Sequence, residues 1–116
     1  VRDRLCSALG RLRDPRSVEL LLTLVGDDGF LYTTTGGDHV VGDHAVHALA
    51  RPTGQFFRRD RARWSTWWKD EAKGALPAEV DASTALAAYE AWMAEREEEH
   101  QRKMREMLEK LRPPPK

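Results

Sequence analysis

The sequence predicts an all-α fold of short helix pairs followed by one long C-terminal helix. Apolar residues recur at helical spacing in four segments between residues 2 and 73, and Asp, Pro or Gly bounds each segment. Residues 82–112 contain neither Gly nor Pro and consist mainly of strong helix formers. We therefore divide the chain into two helix pairs at 1–73 with an inserted loop at 27–42, a linker at 74–81, a long charged amphipathic helix at 82–112 and a Pro-rich tail at 113–116.

The composition excludes several classes of protein. The 116 residues suffice for one domain, and 19 Lys and Arg balance 19 Asp and Glu, so no global charge predicts a nucleic-acid or acidic partner. The single cysteine, Cys6, excludes an internal disulfide and CxxC motifs. No run approaches the ~20 apolar residues of a membrane span. Because the chain begins at Val1 within a helical pattern, we interpret it as a segment of a longer protein, and cytoplasmic location is only a default.

The first two segments predict an antiparallel helix pair. Residues 2–12 and 16–25 each place apolar side chains on one helical face. Asp14 is suited to cap the second helix and Pro15 to its first turn, whereas Gly26 is a natural stop. A turn this short brings the two apolar faces together. Those faces are Leu5, Ala8, Leu9 and Leu12 in the first helix and Val18, Leu21, Leu22 and Val25 in the second.

Residues 1–27, VRDRLCSALGRLRDPRSVELLLTLVGD, resemble a HEAT repeat of the bacterial kind also found in phycobilisome lyases. Ala8-Leu9 and Ala48-Leu49 stand forty residues apart, within the spacing of HEAT and armadillo repeats. The resemblance implies an armadillo-like α-α superhelix (an α-solenoid) that serves as a protein-binding scaffold. It does not imply lyase activity.

The stretch 53–68, TGQFFRRDRARWSTWW, is similar to the C-terminal end of many bacterial HEAT arrays. Pro52 and Arg58 depart from that pattern, because an aliphatic residue and a Gly are usual there. We expect Asp43 and Asp60 to cap the third and fourth helices. The matching positions are Thr53, Gly54, Gln55, Phe57, Asp60, Trp64, Trp67 and Trp68. The tryptophans recur at i, i+3 and i+4, so we expect them in the core and the arginines at the rim.

Residues 27–42 carry four Gly and three consecutive Thr between the helix pairs. Long loops in compact domains are often functional. Strand propensity is compatible with a short hairpin in which residues 31–34 face residues 39–41 across Gly36 and Gly37. Phe30 and Tyr32 are candidate partner-binding residues.

The long helix carries two apolar groups on one face, separated by the charged run EREEEHQRK. We expect the first group to pack on the Trp-rich helix pair. The second group favours a partner helix or self-association as a coiled coil, with Met104, Met107 and Leu111 as binding candidates. The groups are Leu86, Tyr89, Trp92 and Met93, then Met104, Met107, Leu108 and Leu111.

Two alternatives stay open. Asp38, His39, His44 and His47 form the one cluster with metal-ligand character, and His44 and His47 share a helix face at i, i+3, so a metal-binding or enzymatic module is one alternative. The basic segment 51–73, with interleaved aromatics, is a second alternative as a nucleic-acid site, although charge elsewhere cancels its excess. No nucleophile motif or phosphate-binding loop is present. We therefore expect a non-catalytic protein-interaction or scaffold module without a cofactor.

Overall fold

The computed structural model describes residues 6, 8, 14–34 and 37–112. Over these residues the chain forms four α-helices, one π-helical turn and a two-stranded sheet. Cys6 and Ala8 are helical, and the rest of the helix predicted at 2–12 and the tail at 113–116 lie outside the described residues. The elements are α1 (Pro15–Leu24), β1 (Phe30–Thr34), β2 (Gly37–Val40), α2 (Val41–Thr53), α3 (Arg61–Thr66), the π-turn (Trp67–Glu71) and α4 (Ser83–Leu111).

The all-α prediction is wrong, because residues 30–34 and 37–40 pair as an antiparallel β-hairpin. The register pairs Thr34 with Gly37 and Phe30 with Val40, with an irregularity between Phe30 and Tyr32. The hairpin compatible with the sequence is confirmed, although Val41 begins α2 instead of extending the strand. The armadillo-like α-solenoid is also wrong: β2 contacts α2 and α4, so the hairpin takes a place that a solenoid gives to further helices.

Glycine is required where the hairpin and α2 approach their neighbours. Gly37 has φ +100°, and a Cβ there would lie 3.1 Å from Nδ1 of His100 on α4. A Cβ at Gly42 would lie 2.3 Å from the carbonyl oxygen of Val25. Because neither residue has a side chain, the hairpin can lie against the middle of α4, and the start of α2 can lie against the end of α1.

The core lies between α1, α2 and α3. All four apolar residues predicted for the second helix are buried, together with Cys6. Asp14 caps α1 as predicted, because its Oδ1 accepts a hydrogen bond from Arg16 N at 2.9 Å. Ala8, however, is exposed while Ala48 is buried, so the equivalence drawn between these two positions does not extend to their environments.

The N-cap prediction for Asp43 is wrong by three residues. Val40 is the N-cap of α2, and Asp43 lies at the third helical position, where its Oδ2 accepts from Val40 N at 3.0 Å. The strand runs directly into the helix, so the first helical residue is Val41 and the acidic side chain reaches back to the cap. This change matters because it turns Asp43 inward, where its side chain is 1% exposed.

The prediction that Trp64, Trp67 and Trp68 are core is confirmed, since all three are buried. Asp60 caps α3 as expected, with its Oδ1 accepting from Arg63 N at 3.1 Å. Regular α-helical geometry ends at Thr66, because residues 67–71 widen into the π-turn.

The two halves of α4 have different surroundings. Its first half packs on α2, with Ala85 buried and Tyr89 and Trp92 against the core. Every residue from 101 to 112 is exposed. The described chain measures 67 × 27 × 21 Å, and α4 alone is about 44 Å long at 1.5 Å per residue. The second half of α4 therefore projects from the domain.

Candidate protein-binding surface

The projecting end of α4 presents an apolar stripe, which we call the distal stripe. It consists of Met104, Met107, Leu108 and Leu111, which are 38%, 52%, 64% and 73% exposed. Their i, i+3, i+4, i+7 spacing places them on one face of the helix. This is a concentrated apolar surface on a helix that is otherwise strongly charged.

Charge along α4 is divided into two blocks of opposite sign. Residues 95–99 hold four Glu and one Arg, a net charge of −3. Residues 102–112 hold five Lys or Arg and two Glu, a net charge of +3. Within these blocks Lys103 pairs with Glu99 at 3.2 Å. The distal stripe thus lies on a basic segment next to an acidic one.

An ion pair between the buried Asp43 and the partly buried Arg96 fixes the direction in which α4 leaves the domain. Asp43 Oδ1 lies 2.8 Å from Arg96 Nη1, and Arg96 Nη2 donates to the carbonyl oxygen of Asp38 at 3.2 Å. The Arg96 guanidinium also lies 5.2 Å from the ring centroid of Trp92. One side chain therefore links α4 to the start of α2 and to β2.

An aromatic cluster holds the first half of α4. The ring centroids of His47 and Tyr89 are 4.7 Å apart, and those of Phe56 and Trp92 are 5.8 Å apart. Burial, followed by the nearby positive charge of Arg51, lowers the pKa of His47 below 6.5. Burial, followed by the negative charge of Asp43, raises the pKa of Tyr89 to about 12. Both rings are therefore held in their neutral forms at pH 7.

The four predicted metal candidates do not converge. His44 Nε2 lies 2.8 Å from Tyr32 Oη, and His39 Nε2 lies 2.8 Å from Thr34 Oγ1. Asp38 Oδ1 accepts from Thr33 Oγ1 at 2.8 Å, while the ring of His47 packs against Tyr89. Within residues 14–34 and 37–112, no group of three or more Cys, His, Asp or Glu is arranged to hold a metal ion.

The hairpin candidates have different environments. Phe30 is largely exposed, at 63%. Tyr32 is also exposed, but its ring stacks on His39 with centroids 5.0 Å apart and its hydroxyl contacts His44. Tyr32 therefore stabilises the packing of the hairpin on α2, and Phe30 is the more accessible of the two residues.

The basic segment 51–73 does not form a base-stacking platform, because its three tryptophans are buried. Arg58 pairs with Glu95 at 3.5 Å, and Arg59 pairs with Asp28 at 2.7 Å while donating to the carbonyl oxygen of Val25. The guanidinium of Arg63 lies 4.9 Å from the ring centroid of Phe57. These arginines hold elements of the domain together.

Sequence reasoning missed two features of the surface. The charged run EREEEHQRK carries no predicted contact, yet its Arg96 is the partner of buried Asp43. Its spacing from Trp92, at i+4 on the packed face, was the available signal. A groove between α1 and α3 was also missed, because its two walls come from segments about forty residues apart.

Comparison with family models, with curated proteins and with solved structures found no match to this chain. The resemblance to HEAT repeats therefore depends on the residues quoted for it. Among the described residues, no helix combines the length and the apolar content that crossing a membrane requires.

Proposed function

We propose that the chain is a non-catalytic protein-interaction module whose binding surface is the distal stripe on α4. The observation that supports this most strongly is the exposure of four large apolar side chains on one face of a projecting helix. Contiguous exposed apolar patches mark interaction sites. Met side chains suit such surfaces because they are flexible and polarizable.

The occupant that fits the stripe is the same segment of a second copy, in antiparallel orientation. In an antiparallel coiled coil, each a position faces a d position of the other helix. The spacing of the stripe then places Met104 opposite Met107 of the second copy, whereas His100 stays packed against Gly37 of its own hairpin. This pairing buries the distal stripes of the two copies against each other.

Charge favours the same orientation. In a parallel pair the block of +3 at residues 102–112 would lie beside its own copy, and so would the block of −3 at 95–99. In the antiparallel register given above, residues 102–109 still lie beside the same residues of the second copy, but Arg112 of each helix faces Glu99 of the other instead of its own copy. Like charges that face each other are destabilising, so the antiparallel arrangement is the lower in energy.

The experiment is sedimentation equilibrium of the full chain over a range of concentrations. We expect the average mass to rise from monomer toward dimer, and Met107→Glu to weaken association at least tenfold because a carboxylate would be buried without a partner. Arg105→Gln is the matched control. It changes the net charge by the same amount at an exposed position outside the distal stripe, and we expect about a twofold effect or less.

A wild-type chain that stays monomeric up to about 1 mM would contradict the proposal, since weaker association falls below about 4 kcal/mol. Equal weakening by Met107→Glu and Arg105→Gln would also contradict it. That result would show that association depends on net charge and not on the stripe.

A further inference from the structure

A groove lies on the side of the domain formed by α1, α3 and the π-turn. The volume of this groove is about 520 Å³. Its floor contains Leu22 of α1 and the ring of Trp68, both almost fully buried. Its α3 side carries Arg61, Lys69 and Lys73. The groove therefore combines an apolar floor with a basic rim.

The π-turn is the local structure that brings these groups together. Ala72 N donates to the carbonyl oxygen of Trp67 at 2.9 Å, and Gly74 N donates to that of Trp68 at 2.9 Å. Such widened turns change the angle at which successive side chains leave a helix, and they recur at functional sites. Here the widened turn keeps Trp68 and Lys69 on the groove and lets Lys73 follow along the same rim.

The three cations of the rim are available for a ligand. Over the described part of the chain, Arg61, Lys69 and Lys73 form no ion pair, and all three are exposed. Their neighbours Arg58 and Arg59 are both paired with carboxylates. Among the described residues that line the groove, Glu19 is the one acidic residue, and it lies on the α1 wall.

We propose that this groove binds an acidic peptide segment that places one or two large aliphatic side chains on its floor. The carboxylates of the peptide would lie along the α3 rim, because Glu19 repels them from the α1 wall. A helix is the favoured form of the peptide, since aliphatic and acidic residues alternate on its faces at i, i+3 and i+4. The site is separate from the distal stripe and does not depend on association of α4.

Single-stranded nucleic acid fits the groove less well. Its bases need an open aromatic face for stacking, and Trp68 is only 4% exposed. An aliphatic side chain, in contrast, needs only the shallow contact that Leu22 and Trp68 offer. The groove is also open along its length, which suits a peptide better than a small enclosed ligand.

The test uses a fluorescein-labelled helical peptide with two leucines at i, i+4 flanked by glutamates, titrated with the full chain in a fluorescence anisotropy assay. We expect saturable binding that weakens as salt is added. A chain carrying Lys69→Glu and Lys73→Glu should bind roughly tenfold more weakly or worse. Arg51→Glu is the control, because it reverses an exposed cation that does not line the groove. Its effect should be about twofold or less.

Three results of the peptide titration would overturn the proposal. They are the absence of saturable binding, equal affinity of the Lys69→Glu/Lys73→Glu chain, and equal affinity for a peptide whose glutamates are all replaced by glutamine. Displacement of the peptide by an equimolar single-stranded oligonucleotide would also overturn it, in favour of a nucleic-acid site. Repeating the titration with Met107→Glu keeps the outcome independent of self-association. Melting temperatures measured by circular dichroism should agree within about 4 °C, which confirms that each variant is folded.

Discussion

The two halves of α4 have similar helix propensity and opposite roles. From Ser83 to His100 the helix packs on α2 and the hairpin, whereas every residue from 101 to 111 is exposed. Both halves carry an apolar group on a shared face. The two halves of α4 therefore differ in what packs against their apolar side chains.

Aromatic rings and one arginine hold the first half in place. Tyr89 and Trp92 meet His47 and Phe56, and Arg96 reaches the buried carboxylate of Asp43. The second half carries flexible Met and Leu side chains, with no aromatic ring. An intramolecular anchor and an intermolecular surface thus occupy one continuous helix.

Loss of the Arg96 anchor should have the largest effect on the free energy of unfolding. Arg96→Ala leaves the Asp43 carboxylate buried with only the Val40 N–H as partner. We expect a loss of about 3 kcal/mol, typical of a buried pair that loses one member. Arg102→Ala, an exposed position on the same helix, should change stability by less than about 0.5 kcal/mol. Urea unfolding of both variants checks this. Equal losses of stability would show that Arg96 in the packed half anchors α4 no more than the exposed Arg102 does.

Trp92→Ala should have the next largest effect. The ring is partly buried against Phe56, so we expect a loss of about 2 kcal/mol, below the 3–5 typical of fully buried aromatics. Leu111→Ala at the exposed end should leave the stability of the monomer within about 0.5 kcal/mol of wild type. Urea unfolding at low protein concentration measures both. A large effect of Leu111→Ala under those conditions would place the distal stripe in the fold.

The stability of the packed half should depend on pH through the His47–Tyr89 pair. The folded state lowers the pKa of His47, so stability is present above pH 6.5 and decreases as the pH falls below it. The folded state raises the pKa of Tyr89 from 10.0 to about 12, so stability is present below pH 10 and decreases as the pH rises toward 12. We expect His47→Gln to make the free energy of unfolding less dependent on pH on the acid side. Tyr89→Phe should do the same on the alkaline side. Unchanged profiles would contradict the packed geometry.

The smallest effect should come from Arg58, which contacts the packed half through Glu95. Arg58 has φ +52°, a left-handed conformation that glycine adopts at lower cost. Arg58→Gly should therefore raise stability by about 0.5 kcal/mol, after the loss of an exposed ion pair worth less than about 1 kcal/mol. Arg58→Ala removes the ion pair and keeps the strain, so it should be slightly destabilising. The melting temperatures of the two variants separate the cost of the left-handed backbone conformation from the contribution of the ion pair.

The sequence predicted much of the fold because the signals were local. Periodicity placed the buried faces of α1 and α3, and the caps Asp14 and Asp60 followed from residue type. The customary Gly in the resembling family also pointed to the turn at which Arg58 has a positive φ. The fold class failed because the hairpin is stabilised by its contacts with α2 and α4, which no local pattern shows.

The candidate surfaces also differ in whether a local sequence pattern predicts them. Met104, Met107 and Leu111 followed from spacing on a single helix, and the structure leaves all three exposed. The Asp43–Arg96 pair spans 53 residues, and the groove joins α1 to α3, so both depend on the tertiary arrangement. Long-range pairs of this kind are not visible in one sequence.

Hydrogen exchange of α4, measured at low and high protein concentration, tests the central claim most directly. Amides of residues 87–100 should be protected at both concentrations, because tertiary packing holds that half of the helix. Amides of residues 101–111 should exchange fast when the chain is dilute and gain roughly tenfold or more protection when it is concentrated. Equal protection of both halves at every concentration, or fast exchange of residues 101–111 throughout, would contradict the account.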